Sequence, residues 1–264
     1  MGLRKHLWAI VLAGGEGRRL RPLIRRVHGD ERPKQYATLV GSRSMLRHTI
    51  DRAALAVPPE RIVVVTQWRH VQYVTPEVKA GLMPRVLVQP EDRGTAAGVL
   101  LPAHWIQWGD PATIVAVFPS DHFVLEEAAF IDHVLEVAAF VSRHPRWIVL
   151  IGAQPSEPEP EYGWIEPGRP VGSITAGPIW RVRRFWEKPS EEEAHGCFAR
   201  GCLWNTFVFV AHVGALIEAG WRFLPELSYR LAPVASLAHA PENGEAVREA
   251  YALAPQANFS EALL

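Results

Sequence analysis

Short β-branched runs alternate with helical stretches through the first 152 residues, and this alternation constrains the fold more than any other feature. Residues 7–13, 62–66, 86–89, 114–118 and 148–152 read as short buried strands, the first ending in glycines. Between them, 44–55, 95–108 and 127–141 carry apolar residues at helical spacing, with Pro102 expected to kink the second helix. Strands and helices in this order predict an α/β chain built on a doubly wound, mostly parallel sheet. Such a sheet is covered on both faces and takes its ligands at the C-terminal ends of its strands.

The pattern changes after residue 152. Residues 155–178 hold six prolines and four glycines, which excludes a regular helix and predicts irregular chain or short hairpins walling a cleft. A strand is expected at 180–186. Ser190, with Glu193 three residues on, should open a short helix as a capping box. Another strand is expected at 204–210, and helices thereafter.

Composition removes several function classes. The 28 basic and 28 acidic residues balance, so the chain as a whole is no generic nucleic-acid binder. Nine of the basic residues, against three acids, fall within positions 1–34. That local field suits a small polyanion or a solvated basic surface. Cys197 and Cys202 make no disulfide framework and no four-thiolate zinc site, and read as free thiols of a reducing compartment. No apolar run spans a bilayer and no signal-peptide cleavage site follows the first strand, so a cytoplasmic protein without membrane partners is expected.

The chemistry concentrates after the first strand, where residues 12–23 read L-A-G-G-E-G-R-R-L-R-P-L. Glycines there let backbone N–H groups approach phosphates, and Arg18 and Arg19 supply charge. Leu20 breaks the dinucleotide fingerprint G-x-G-x-x-G, and no Gly-Lys-Ser/Thr of a P-loop follows. The stretch resembles G-G-x-G-x-R-L-x-P-L, the signature of sugar-1-phosphate nucleotidyltransferases. The likeness continues in order. R-P-K-Q-Y at 32–36 resembles the lysine motif of the mannose-1-phosphate guanylyltransferase (GDP-mannose pyrophosphorylase) branch. Q-P-E-D-R-G-T-A-A at 89–97 resembles its base-binding segment, and F-P-S-D-H at 118–122 its metal-binding turn. Y-G-W-I-E at 162–166, F-W-E-K-P at 185–189 and W-N at 204–205 resemble its sugar-pocket motifs.

The resemblance implies a Rossmann-like nucleotidyltransferase fold in one domain, 1–264, with a nucleotide-binding half (1–152) and a hairpin-rich sugar-binding half (153–264). It implies transfer of a nucleotidyl group, from GTP in this branch, to a sugar 1-phosphate, mannose 1-phosphate first, with pyrophosphate leaving. Such a transfer needs alignment and charge rather than a covalent nucleophile. Leu12, Ala13, Gly14, Gly15, Gly17, Arg18, Gln89, Gly94 and Thr95 fall on nucleotide-binding positions. Among catalytic positions, Arg19 falls on the arginine of the leaving pyrophosphate and Lys34 on the lysine of the α-phosphate. Lys188 falls on the sugar-phosphate lysine, and Asp121 on a carboxylate for Mg²⁺, a hard cation that suits phosphate chemistry. Tyr162, Gly163, Glu166, Glu187 and Asn205 fall on the sugar pocket. Homo-oligomerisation is left open.

Two departures bear on function. Gly94 opens G-T-A-A where guanylyltransferases of this branch usually read N-T-A-P. Ser260, in N-F-S-E-A-L-L at 258–264, falls on the aspartate that serves the family as second metal ligand. The chain ends there, where members of the family continue, and reads as a truncated or minimal form. These features favour an alternative, a catalytically weak nucleotide-sugar-binding or regulatory homologue. Intact Arg19, Lys34, Asp121 and Lys188 favour the enzyme.

Overall fold

A computed structural model of the chain describes residues 5–79, 84–237 and 244–263. In chain order, β1 (Leu7–Leu12) leads through α1 (Arg21–His28) and α2 (Met45–Ala53) to β2 (Ile62–Gln67). Then come α3 (Val71–Lys79), β3 (Arg85–Gln89), α4 (Gly94–Gly109), β4 (Ile114–Pro119), α5 (Glu127–Arg143) and β5 (Ile148–Ala153). The remainder comprises β6 (Trp164–Ile174), β7 (Gly177–Trp186), α6 (Glu191–Ala199), β8 (Leu203–His212) and the helices α7 (Val213–Phe223), α8 (Pro225–Leu231), α9 (Gly244–Leu253) and α10 (Phe259–Leu263).

Strands β3, β2, β1 and β4 lie side by side and parallel, as the alternation predicts. Every residue of β2 is buried, because helices cover both faces. Val11, Val64 and Ala116 pack with α2 and α5 on one face. Ile10, Val63 and Val117 pack with α4, α7 and α8 on the other. α4 is buried nearly all round and continues through Pro102 as one helix. Within it, burial pushes the His104 imidazole down to about 4, and among the described residues its Nε2 has no hydrogen-bond partner.

The sheet turns mixed at β8, which runs antiparallel to both β4 and β5. The parallel pattern therefore stops at β4. The proline-rich segment corrects the expectation of irregular chain or short hairpins. Residues 164–174 form a strand of 11 residues, and β6 with β7 makes one long antiparallel hairpin. Pro167 and Pro170 sit at register shifts, beyond the two residues of β6 that pair with β8, where a missing N–H breaks no ladder. The capping box forms as expected: Ser190 Oγ accepts from Glu193 N–H, and Glu193 accepts from Ser190 N–H. Cys197 and Cys202 are buried free thiols. Among the described residues, no helix is long and apolar enough to cross a membrane.

Candidate active site

The C-terminal edge of the parallel strands gathers most of the residues singled out from the sequence. Ser120 donates to Leu12 O from both Oγ (2.6 Å) and N–H (3.1 Å), which ties the end of β4 to the end of β1. That tie puts Asp121 beside the glycine-rich loop. A 3₁₀ turn, Lys34–Tyr36, is stapled to the same loop. Gln35 Nε2 donates to Ala13 O (2.9 Å) and Gly15 O (2.7 Å), and Tyr36 OH donates to Ala13 O (2.8 Å). Gly17 has φ +59, and a Cβ there would lie 2.7 Å from Lys34 N, so only glycine lets loop and turn meet.

Lys34 Nζ forms an ion pair with Asp121. Burial opposes ionisation of Asp121, but the His122 and Lys34 charges outweigh it and hold the carboxyl below its ordinary range. Arg19 forms an ion pair with Glu161, 142 residues away on the connection before β6. Two cations thus flank the glycine-rich loop, each holding a carboxylate. The side chain of Arg18 lies outside the described residues.

The 89–97 segment is roofed by the C-terminal chain. Ala96 N–H donates to Ala257 O (3.2 Å), Ala257 N–H to Arg93 O (3.1 Å), and Phe259 N–H to Thr95 Oγ1 (2.8 Å). Gly94 has φ +82, and a Cβ on it would fall 2.2 Å from Ala257 O. Glycine here is therefore a packing requirement of this chain. Gln89 accepts from Tyr251 OH at 3.2 Å.

On the hairpin side, Gly163, Glu187 and Asn205 converge. A Cβ at Gly163 would meet Asn205 Cβ at 3.2 Å and Glu187 Oε2 at 3.4 Å. A register shift in the β5–β8 pairing, with Phe207 at φ +57, seats Asn205 N–H on Gly163 O at 2.7 Å. Tyr162 stands edge-on to Trp204, with centroids 5.0 Å apart. Burial, with the charge of Glu261, outweighs Lys188 and a hydrogen bond from Asn258 and raises the Glu187 carboxyl above its usual range. Lys188 itself holds φ +46, a strained conformation for a side chain of its kind. Glu166 does not join this cluster. Strand alternation turns it to the other face from Gly163, where it pairs with Arg183 at 3.0 Å.

Ser260 is buried in the first turn of α10, its N–H donating to Asn258 Oδ1 at 2.9 Å. Leu264 of that segment lies outside the described residues. Among the described residues no cluster of three His, Cys, Asp or Glu forms a metal cage. Asp121, an ionised carboxylate beside the loop, is an oxygen donor of the kind a hard dication takes. Glu161 and Gln67 escape the reading of the sequence. Glu161 sits among prolines with no motif of its own, whereas Gln67 ends a strand at the ligand edge, a position that could have marked it.

A family model described as nucleotidyl transferase matches residues 8–232. The chain is 33% identical over 223 residues to the xanthan biosynthesis protein XanB of Xanthomonas campestris pv. campestris strain B100, covering 83% of this chain and 45% of that protein. It is 31% identical over 226 residues to the mannose-1-phosphate guanylyltransferase ManC of Salmonella typhimurium, covering 84% of this chain and 46% of that protein. The chain thus spans less than half the length of these relatives. The crystal structure of a protein named mannose-1-phosphate geranyltransferase, from Thermus thermophilus, superposes with a TM-score of 0.81 at 30% identity, over 98% of this chain and 70% of that one.

Proposed function

Because the chain belongs to the nucleotidyl transferase family, we propose that it transfers a guanylyl group from GTP to a sugar 1-phosphate, mannose 1-phosphate first, releasing pyrophosphate. The observation that supports this reading is the ion pair of Lys34 with Asp121 beside the glycine-rich loop, with Arg19 on the turn that follows the loop and paired to Glu161. In the reaction a sugar-phosphate oxygen attacks the α-phosphorus, and the bond to the β-phosphate bridge breaks. Charge builds on the α-phosphoryl oxygens and on the departing pyrophosphate. Lys34 answers the first and Arg19 the second, each giving up its present carboxylate to do so. Backbone N–H groups of residues 14–17 receive the remaining phosphate oxygens, Ala13 N–H being taken by Val65 O. Lys188 holds the phosphate of the incoming sugar, and Glu187 with Asn205 takes its hydroxyls.

Asp121 would hold Mg²⁺, which would supply neutralising charge across the phosphates. Ser260 brings no second carboxylate, so the requirement for Mg²⁺ should be higher than in a two-carboxylate site. ManC acts on mannose 1-phosphate by its name, and the R-P-K-Q-Y turn supports the same branch here. The test is released pyrophosphate with Mg²⁺ and each of GTP, ATP, UTP and dTTP, paired in turn with mannose, glucose and glucosamine 1-phosphate. Fastest turnover is expected with GTP and mannose 1-phosphate. Equal or faster turnover with dTTP or UTP would overturn the base assignment. No turnover at any Mg²⁺ concentration, with nucleotide sugar still bound, would make the protein a binder instead.

A further inference from the structure

Gln67 and Gln89 end the adjacent parallel strands β2 and β3 and stand opposite one another in register. Residues so paired present their side chains to the same face of the sheet. Gly14 continues β1 on the far side of Gln67, because Leu12 is registered with Val65. A Cβ at Gly14 would lie 3.3 Å from Gln89 Nε2 and 3.7 Å from Gln67 Nε2. Two amide groups thus overhang one bare stretch of backbone. Both residues are buried, at 3% and 4% exposure.

Their orientation is held from behind. Arg69 donates to Gln67 Oε1 from Nε at 3.0 Å and from Nη2 at 2.8 Å. A guanidinium has donors only, so the amide oxygen must face it and the NH₂ must face away. Arg69 is held in turn by Glu16 at 2.7 Å, and Glu16 also holds Arg21 at 2.9 Å. Gln89 Oε1 is taken by the Tyr251 hydroxyl. Among the described residues neither Nε2 has a hydrogen-bond partner.

We propose that Gln67 is a specificity-determining residue and Arg69 its positioning residue: with Gln89, Gln67 offers paired amide donors that select a base edge carrying two acceptors, as N7 and O6 of guanine do. Adenine sets an amino donor beside N7, cytosine presents an amino donor, and thymine offers one acceptor beside a methyl group. This inference rests on the guanylyl reading above and adds the groups that choose the base.

Binding without sugar phosphate tests it, by equilibrium dialysis of GTP, 7-deaza-GTP (no N7 acceptor), 6-thio-GTP (a weak acceptor at position 6), ATP and dTTP. Wild type should bind GTP at least about tenfold more tightly than one of the two guanine analogues. Gln67→Leu should bring that ratio close to one. Gln67→Glu, nearly equal in size, puts an acceptor where the donor stood and should narrow the preference for GTP over ATP at least about tenfold. Arg69→Ala should raise KM for GTP with kcat within twofold, and Arg69→Lys should restore part of the loss. Thermal melts establish that each variant is folded. If wild type selects GTP and folded Gln67→Leu and Gln67→Glu keep every wild-type ratio, this inference alone falls. If wild type binds GTP no better than dTTP, or binds neither, the guanylyl reading falls and takes this one with it.

Discussion

Arg19 and Lys34 are held by motif spacing and can be tested one side chain at a time. Replacing either by alanine should lower turnover at least about tenfold, since one preorganised donor to developing charge is worth about 2.7–4 kcal/mol. Arg25 pairs with Glu31 at 2.6 Å on the exposed side of α1, so Arg25→Ala should leave turnover nearly unchanged. Steady-state rates with GTP decide this, and equal losses at all three positions would displace the site. Gly94 makes a second prediction at this scale. A side chain there must hold φ +82 and meet a carbonyl oxygen 2.2 Å away. The backbone term alone is about 1–3 kcal/mol, so Gly94→Ala should melt several degrees lower than wild type. Gly109→Ala, with nothing within 4 Å of its Cβ, should not.

Among the elements, α4 carries a buried imidazole whose consequence is a pH dependence. His104 titrates at about 4 in the folded chain because burial disfavours its charge. In the unfolded chain it titrates near the ordinary value of about 6.5. Above that pH neither state binds the proton and stability is unaffected. Between about pH 6.5 and 4 the unfolded state alone binds it, so stability falls as pH falls, by about 1.4 kcal/mol per unit. His104→Gln cannot take the proton and should flatten that limb. Urea midpoints of both proteins at pH 7.5, 6 and 5 would reveal it, and parallel curves would exclude His104 as the cause. The hairpin of β6 and β7 shows the other side of element-scale reading. Its prolines argue against regular structure when read alone, yet they lie where one edge of β6 has no partner to satisfy.

Across the whole molecule, the Arg19–Glu161 pair links the glycine-rich loop to the connection leading into the hairpin. Both groups are more than half exposed, so the contact is weak and sensitive to salt. It nonetheless competes for the cation that the proposed function assigns to the triphosphate. Glu161→Gln should therefore lower KM for GTP about two- to fivefold at low ionic strength, with kcat unchanged. The gain should vanish in about 0.5 M salt, where the Debye length is only a few ångströms. An unchanged KM at low salt would mean that Glu161 leaves Arg19 without cost.

The parallel half of the sheet, the glycine-rich loop, the lysine turn and the Asp121 turn were legible in the chain before any fold was known. Each is written in contiguous residues whose local periodicity or backbone requirement is strong, as at Gly17. The remaining features arise from contacts between distant segments. The antiparallel run of β8 depends on which edge of β4 is open, and no local signal encodes strand direction. The roof over Gly94 and Thr95 comes from Ala257 and Phe259, more than 160 residues away. Gln67 acquires its orientation only when β3 brings Gln89 alongside and Glu16 anchors Arg69. A hydrogen-bond donor has a direction only once its neighbours are in place, and those neighbours are supplied by the fold.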